Sequence, residues 1–303
     1  IKIMYLYTEV CENLMALYGM SGKKTENEKF AGAVSSEKLH YVMPNGKAIQ
    51  GPDFHHDGQN FAKAYNIKFL NKENQEGYVW QNTFALTTRM LGVMFAVHSD
   101  EKGLILPPKV APQKIAIIPI IFEDSKSRVL KQAKEIENSL KEFSPILDDR
   151  EGYSPGFKFN EWELKGIPIR IELGPKDLDK KSVVLARRDT NKKEFVKISD
   201  LKKKVPQILE EIQESLLKKA QKLLNTSIVN VKDLEGINKA IAEKKIVFVP
   251  LCAERDCEDN LKFKTNGAKV LNIPDKQPKE LEKADCAICN KKANYFAYVG
   301  KSY

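Results

Sequence analysis

Two close pairs of cysteines near the C-terminal end of the chain are its clearest chemical signal. Cys252 and Cys257 have the spacing C-x4-C, and Cys286 and Cys289 have the spacing C-x2-C. Thiolates at such spacings suit a tetrahedral Zn²⁺ site without an open position, which is structural rather than catalytic. Two reduced pairs without a metal are the alternative. The remaining cysteine, Cys11, has no base beside it in the sequence and is interpreted as a packing residue.

A single arginine at the start of an apolar segment is the second signal. Residues 90–97 predict a buried helix with Thr87 and Thr88 as its N-cap. A strand is predicted just before it, over residues 78–84. Arg89 falls in the first helical turn, where a cation opposes the helix dipole unless an anion such as phosphate meets it. A core helix whose arginine extends to solvent fits the same residues, so both interpretations stay open.

Two adjacent histidines, His55 and His56, lie between Asp53 and Asp57 and suggest a metal site. However, adjacent residues do not share one face of a helix or a strand, so the pair is poorly placed to hold one ion. A zinc-dependent hydrolase centred on these histidines is therefore the weakest of the functional hypotheses.

Composition sets the broad class. The chain has 303 residues, 42% hydrophobic and 30% charged, which is enough for two or three domains. No apolar run approaches the roughly 20 residues of a membrane span and no signal peptide is visible, so a soluble cytoplasmic protein is expected. The net charge of +9 favours polyanionic partners. The chain opens at Ile1 in what reads as the middle of a helix, and a fragment of a longer protein is expected.

The pattern of apolar residues predicts the elements that must position these groups. In the first third we expect an amphipathic helix over residues 1–18, a polar loop over 22–33, a hairpin over 39–50 with its turn at 44–47, a loop over 51–61 and a short helix over 62–65. Near the C-terminus, strands over residues 246–249, 269–273 and 295–299 would surround the cysteines.

The middle of the chain alternates between strands and helices. The predicted order is strand 115–121, helix 125–143, strand 146–147, helix 155–164, strand 167–173 and strand 183–186. Pro119 marks an end or an edge in the first strand. This alternation predicts a compact α/β domain with a mostly parallel sheet. A long helix over residues 201–224 closes it, and its Lys-rich side is interpreted as a solvated face rather than a nucleic-acid groove.

Three stretches together resemble the class II prolyl-tRNA synthetases of the archaeal and eukaryotic type, which also occurs in some bacteria. T-T-R, the apolar helix and H-x-D-x-x-G-L-x-L-P-P over residues 87–108 are similar to motif 3 of that family. G-K-K-T-x-x-E-K-F-A-G-A over residues 22–33 looks like its amino-acid pocket loop. S-P-G-F-K-F-N-E-W-E-L-K-G-I-P-I-R-I-E-L-G-P-K-D-L over residues 154–178 resembles its anticodon-binding domain.

The resemblance implies a multidomain α+β and α/β protein. Residues 1–112 would be the C-terminal part of the antiparallel-sheet catalytic domain, residues 113–224 the α/β anticodon-binding domain, and residues 225–303 a small α+β zinc-binding domain. The implied activity is ATP- and Mg²⁺-dependent ligation of proline to tRNA(Pro) through prolyl-adenylate, by a homodimer with a structural Zn²⁺. Motifs 1 and 2 of the family lie before the position of Ile1, and catalysis would require that part.

The resemblance also implies roles for individual residues. Arg89 would hold the ATP phosphates and, with His55, serve catalysis. Phe30 would wall in the proline ring, and the proline and ATP site would comprise Phe30, Gln50, His55, Thr87 and Arg89. Residue types suited to anticodon bases are Lys158, Arg170, Glu172 and Arg188, with Trp162 and Lys176, and at least half of these six are expected to be structural or phosphate contacts. The metal ligands would be the four paired cysteines.

The pocket loops depart from the family pattern at several positions. Asp53 and Phe54 replace a Thr and a Ser, His40 stands where the family has a Glu, and residues 83–85 replace S-W-G. An extra carboxylate at Asp53 would repel a triphosphate unless Mg²⁺ or a lysine intervened. These departures motivate a second hypothesis, a non-catalytic synthetase-like protein with a tRNA-binding or regulatory role.

Overall fold

The computed structural model describes residues 2–303, so Ile1, the first residue of the predicted N-terminal helix, lies outside the described residues. The described chain forms two compact units. One contains the residues up to Cys11 together with Tyr18–Val93 and Gln221–Tyr303, and the other contains Glu12–Leu17 and Met94–Ala220. Within residues 2–303, no helix combines the length and apolar character needed to cross a membrane.

The first part of the chain builds an antiparallel sheet. Its elements are α1 (Lys2–Asn13), β1 (Met20–Lys23), β2 (Ser35–Val42), β3 (Ala48–Gly58), α2 (Asn60–Ala64), β4 (Lys68–Leu70), β5 (Glu76–Tyr78), β6 (Gln81–Ala85) and α3 (Arg89–His98). The sheet has the order β1-β2-β3-β6, and β4 and β5 form a separate hairpin. The predicted hairpin over residues 39–50 and the predicted helix over residues 90–97 are confirmed as β2–β3 and α3.

Two local predictions in this sheet were wrong. The predicted loop over residues 51–61 is largely the second half of β3, because that stretch pairs with β2 on one side and β6 on the other. Pairing of residues 53–56 on both sides holds the stretch in a strand, while Gly51 and Pro52 lie at an irregularity in the β2–β3 register. The single strand predicted over residues 78–84 is interrupted at residues 79 and 80, since β5 pairs with β4 whereas β6 pairs with β3.

The second unit is built around a five-stranded sheet. Its elements are β7 (Ile115–Pro119), α4 (Lys126–Ser139), β8 (Pro145–Leu147), α5 (Pro155–Leu164), β9 (Ile169–Leu173), α6 (Pro175–Asp179), β10 (Ser182–Arg187), β11 (Lys193–Lys197) and α7 (Leu201–Ser227). The strand order is β11-β10-β9-β7-β8. Every residue of β7 and β9 is buried, as expected for strands covered on both faces.

The predicted α/β alternation is confirmed, but the sheet is mixed rather than mostly parallel. β7, β8 and β9 run parallel, while β10 and β11 are antiparallel to their neighbours. A short turn after β10 returns β11, which the sequence analysis missed, and short turns can join only antiparallel strands. Pro119 ends β7, as predicted. The core joins apolar residues of this sheet to those of α4 and α7.

The C-terminal segment adds a second sheet to the first unit. Its elements are β12 (Ile228–Asn230), α8 (Leu234–Ala242), β13 (Ile246–Leu251), α9 (Arg255–Lys264), β14 (Lys269–Asn272) and β15 (Tyr295–Gly300), in the sheet order β12-β13-β15-β14. Its core contains three buried cysteines beside Val249, Leu261 and Val270. Backbone bonds between Lys23 and Ile273 run both ways and join β1 to the end of β14.

Candidate functional site

A buried histidine on β3 is the centre of a hydrogen-bonded cluster. Nδ1 of His55 lies 2.7 Å from Oγ of Ser36, and the backbone N–H of Phe30 donates to the same oxygen at 3.0 Å. We assign the Ser36 proton to the bond with Nδ1, so the ring proton of His55 is on Nε2. That nitrogen faces Oδ2 of Asp53 at 3.4 Å. The Phe30 ring lies over the imidazole, with 4.8 Å between ring centroids.

Gln50 connects this cluster to the two nearest cations. Its Nε2 donates to Oδ2 of Asp53 at 2.8 Å, and its Oε1 accepts from Nζ of Lys38 at 3.0 Å. The backbone oxygen of Gln50 accepts from Nη1 of Arg89 at 3.2 Å. Burial lowers the pKa of Lys38, and the charge of Asp53 opposes that shift. Lys38 is therefore a lysine that can offset the charge of Asp53, and it is connected to Asp53 through the side chain of Gln50.

Arg89 is the exposed first residue of α3. Within the described residues its guanidinium donates one hydrogen bond, to the backbone oxygen of Gln50, which leaves most of its five donors available to an anion. Thr87 is also exposed, and its backbone oxygen accepts from Met90 in the first turn of the helix. Phe30, Gln50, His55 and Arg89 are thus joined in one network, and Thr87 lies at the turn that presents Arg89.

Three further polar side chains of this sheet, those of His40, Asp57 and His56, have hydrogen-bond partners of their own. His40 is buried and bonds through Nδ1 to Oδ1 of Asn272 at 2.8 Å, away from the Asp53 cluster. Asp57 is 2% exposed; its Oδ2 accepts from the Thr83 hydroxyl at 2.7 Å, while Oδ1 has no hydrogen-bond partner among the described residues. His56 faces the opposite side of β3 from His55 and bonds to Asn82, as alternation along a strand requires.

The four paired cysteines come together in the C-terminal segment. All four Sγ atoms lie within 4.8 Å of one another, with 3.7 Å between Cys252 and Cys289 and 3.4 Å between Cys257 and Cys286. A tetrahedral ion with Zn–S bonds of about 2.3 Å places its sulfurs roughly 3.8 Å apart, so the cluster fits such an ion. Burial, together with Cys286 and Cys252, raises the pKa of Cys257 above its ordinary range, so a thiolate there needs a cation. Within residues 2–303, this is the one group of Cys, His, Asp or Glu side chains arranged to hold a metal.

The residues predicted to read anticodon bases are engaged inside the second unit. Lys158 donates to the backbone oxygen of Asp148 at 2.9 Å, and Arg170 pairs with Glu172 at 2.9 Å. Arg188 holds Asp100 with two bonds of 2.5 and 2.8 Å. The four predicted side chains, Lys158, Arg170, Glu172 and Arg188, are all buried. Trp162 is buried as well, whereas Lys176 is exposed.

Two of these buried arginines, Arg170 and Arg188, nevertheless line a small cationic cavity. Its volume is about 130 Å³. The lining cations are Lys102, Arg170, Arg187, Arg188 and Lys193, beside Glu163. Hydrogen bonding to Arg188 lowers the pKa of Asp100 to about 2, which keeps this carboxylate charged and the arginine anchored. The buried arginines therefore form the floor of a positively charged depression.

The structure also shows an aromatic pair that the sequence analysis did not single out. The rings of Tyr153 and Phe157 are stacked with 4.9 Å between centroids, and both side chains are about half exposed. The guanidinium of Arg150 lies over Tyr153 at 5.0 Å. A cation beside exposed aromatic faces is a surface on which unstacked bases can bind. The sequence signal that could have indicated this pair is the position of Tyr153 and Phe157 on either side of Ser154, the N-cap of α5.

An antiparallel sheet with an arginine at the start of a buried helix, an α/β module and a four-cysteine module are together consistent with a class II aminoacyl-tRNA synthetase architecture. Residues 114–208 match the model of the anticodon binding domain, and residues 234–303 match that of the prolyl-tRNA synthetase C-terminal domain. The chain carries a prolyl-tRNA synthetase C-terminal region, which confirms the resemblance seen in its motifs.

Curated relatives match the whole chain. It is 40% identical to "Proline--tRNA ligase 2" of Bacillus thuringiensis (strain Al Hakam). It is 39% identical to "Proline--tRNA ligase" of Ruminiclostridium cellulolyticum and 38% identical to "Proline--tRNA ligase" of Clostridium novyi (strain NT). In each case 100% of this chain is aligned, and it spans 63% of the relative's length.

Proposed function

We propose that this chain acts in a prolyl-tRNA synthetase, which activates proline with ATP and Mg²⁺ and transfers it from prolyl-adenylate to tRNA(Pro). The observation that carries the proposal is the network joining the Phe30–His55 pair to Arg89 through Gln50. It joins an apolar wall for a small ring to a cation that can bind phosphate. The similarity to proline–tRNA ligases over the whole chain supports the same reaction.

The chemistry would depend on positioning and electrostatics. Phe30 offers an aromatic face to the proline ring, and His55 is held in one orientation by Ser36 and Asp53. Arg89 would bind the ATP phosphates and stabilise the charge that develops as pyrophosphate leaves, and Thr87 would support it. Ser36 would not be a nucleophile, since it is 1% exposed and bonded to His55. Bound Mg²⁺ would supply further neutralisation of phosphate charge.

We propose that the four cysteines hold one structural Zn²⁺. Cys252, Cys257, Cys286 and Cys289 would fill all four positions, which leaves none for a substrate or a water. The ion would fix the start of α9 to the segment that carries Cys286 and Cys289. This assignment leaves the zinc-dependent hydrolase hypothesis without a metal.

For tRNA we propose a division of labour within the second unit. The stacked pair Tyr153 and Phe157, with Arg150, would bind anticodon bases by stacking. The cationic cavity lined by Arg170 and Arg188 would bind phosphate or a base edge, while Glu172 holds Arg170 and Lys193 in place. Lys158, which bonds to the backbone oxygen of Asp148, would be structural. We further propose that the enzyme is cytoplasmic and forms a homodimer. Light scattering on the full-length protein would test the dimer.

The test is aminoacylation of tRNA(Pro) by the full-length protein with proline and ATP. Formation of prolyl-tRNA supports the proposal, and charging with another amino acid but not proline would contradict it. The departures at His40, Asp53 and Phe54 favour one rival, a synthetase-like protein that binds tRNA without catalysis. Retained tRNA binding without any charging would favour that rival.

A further inference from the structure

The loop that carries Phe30 is anchored on the C-terminal segment of the chain. We define the Phe30 loop as residues 24–30. Thr25 in this loop is 6% exposed, and its hydroxyl donates to Oε1 of Glu258 at 2.8 Å. Glu258 lies on α9, immediately after Cys257, which belongs to the four-cysteine cluster. The side chain of Glu258 on α9 therefore bonds to the loop that carries Phe30, the proposed wall of the amino-acid pocket.

The same threonine also organises the loop internally. Its hydroxyl oxygen accepts from the backbone N–H of Glu28 at 3.3 Å, and its carbonyl oxygen accepts from Lys29 at 2.9 Å. The turn leads directly to Phe30, whose own N–H bonds to Ser36. A hydroxyl that accepts from the loop and donates to Glu258 couples the turn to α9, because moving either end breaks a bond at the other.

Further contacts join the loop to the same segment. Nζ of Lys24 donates to the backbone oxygens of Val270 and Leu271 at 3.1 and 2.8 Å. These bonds involve backbone atoms of β14 and would survive substitution of β14 side chains. By contrast, Thr25–Glu258 is a side-chain pair, so it can be removed without touching the backbone of either element.

We propose that Glu258 is a positioning residue for the amino-acid pocket: through Thr25 it holds the Phe30 loop in place, so the C-terminal segment sets the affinity for the amino acid. This inference rests on the proposed function for its kinetic consequence. Because Glu258 bonds to Thr25, while Phe30 bonds to Ser36 and the phosphate-binding Arg89 bonds to Gln50, its loss lowers substrate affinity while leaving the chemical step nearly unchanged.

The experiment compares four single variants of the full-length protein and the double variant Glu258→Ala/Thr25→Val. Glu258→Ala removes the acceptor, Glu258→Gln keeps an acceptor oxygen, and Thr25→Val removes the donor without altering α9. Asp259→Asn is the matched control, since it neutralises an exposed neighbouring carboxylate on the same helix. In proline-dependent ATP–pyrophosphate exchange, we expect Glu258→Ala and Thr25→Val to raise KM for proline roughly tenfold, as loss of one hydrogen bond to a charged group predicts. Changes in kcat should stay within about twofold.

Two outcomes identify coupling rather than general destabilisation. The double variant Glu258→Ala/Thr25→Val should be no worse than Thr25→Val alone, because both single changes remove the Thr25–Glu258 bond and Thr25→Val also removes the bond from Glu28. Glu258→Gln should recover most of the affinity. A KM for Glu258→Ala equal to that of Asp259→Asn, or fully additive effects in the double variant, would overturn the proposal.

Hydrogen exchange separates this proposal from the proposed function. Amides of residues 24–30 should exchange faster in Glu258→Ala and Thr25→Val than in the wild type or Asp259→Asn. If the wild type shows no proline-dependent ATP–pyrophosphate exchange but the amides of residues 24–30 show this pattern of hydrogen exchange, the proposed function fails and the anchoring stands. Unchanged exchange of residues 24–30 in both variants would contradict the anchoring itself.

Discussion

His40 on β2 and Asn272 on β14 form a fully buried hydrogen bond of 2.8 Å between Nδ1 and Oδ1. The amide of Asn272 is oriented by its second bond, in which Nδ2 donates to the backbone oxygen of Met20 at 2.6 Å. Its Oδ1 is therefore an acceptor, and His40 must carry its proton on Nδ1. The residue at the position of the family's glutamate thus joins the two sheets of the first unit and takes no part in the Asp53 cluster.

This bond predicts a pH dependence of stability. Burial, followed by the charge of Lys24, lowers the pKa of His40 from 6.5 to about 3. The unfolded state binds a proton below its ordinary pKa while the folded state does not, so stability falls as pH drops from about 6.5 toward 3. The melting temperature should therefore decrease between pH 7 and pH 5 more steeply in the wild type than in His40→Gln, which keeps a donor and cannot titrate. Equal slopes would contradict this assignment.

Arg89 should matter for activity and not for folding. Its side chain is exposed and makes one bond to a backbone oxygen, so Arg89→Ala should leave the melting temperature nearly unchanged. ATP–pyrophosphate exchange by the full-length variant should fall by about 10²–10³-fold, the usual effect of removing a group that stabilises transition-state charge. Arg89→Lys keeps the charge without the planar fork and should be intermediate. Full activity in Arg89→Ala would mean that this arginine only extends to solvent.

Metal content tests the four-cysteine site directly. Cys252→Ser should lower zinc from about one ion per chain to near zero, because a closed four-thiolate site needs all its ligands. The melting temperature should drop as well, since Cys252 lies within a hydrophobic core. Cys11→Ala serves as the control: it removes a buried cysteine outside the cluster and should keep the metal. Zinc retained in Cys252→Ser, measured by elemental analysis, would contradict the site.

Arg188 should be a structural residue first. Arg188→Ala leaves Asp100 without its partner and should lower the free energy of unfolding by about 2 kcal/mol. This is less than for a fully buried pair, because the Asp100 side chain is 35% exposed. Arg128→Ala is the control, since its pair with Asp179 lies on the surface and should contribute less than about 1 kcal/mol. Chemical denaturation would compare the two, and equal losses would contradict the structural role.

The exposed aromatic pair should show the opposite behaviour. Tyr153→Ala should weaken binding of tRNA(Pro) roughly tenfold or more, the size of one lost base stack, with little change in stability. Phe195→Ala offers a control, because Phe195 is another exposed aromatic residue of the second unit. Affinities from filter binding at one fixed salt concentration would decide between them. Equal affinity of both variants would move anticodon binding away from Tyr153 and Phe157.

The elements that depend on a local sequence pattern could be predicted from the sequence. Cysteine spacing predicted the four-thiolate cluster, and an apolar run after Thr87 and Thr88 predicted α3. Alternating apolar segments predicted the α/β unit as well. The second half of β3 was not predictable in this way, because Gly51, Pro52 and Asp53 favour turns, and the stretch forms a strand only because residues 53–56 pair with β2 on one side and with β6 on the other.

The links that shape the candidate site had no local signal. His40 and Asn272 are 232 positions apart, and Thr25 and Glu258 are 233 positions apart. Neither pair has the short spacing of residues on one face of a helix or strand, and no sequence motif links the two members of either pair. Even the Ser36–His55 bond depends on the register between β2 and β3, which the shift between Lys38 and His40 alters. Such contacts follow from the packing of whole elements.

The most direct test of the central proposal is ATP–pyrophosphate exchange by the full-length protein with proline, alanine, cysteine or no amino acid. The network from Phe30 through His55 and Gln50 to Arg89 predicts exchange that depends on proline and exceeds the rate with the other amino acids. It would also make Asp53, Phe54 and Phe84 tolerated variations of the pocket. No exchange with any amino acid, in a folded protein that still binds tRNA(Pro), would contradict the proposal and identify a binding protein that has kept the synthetase fold.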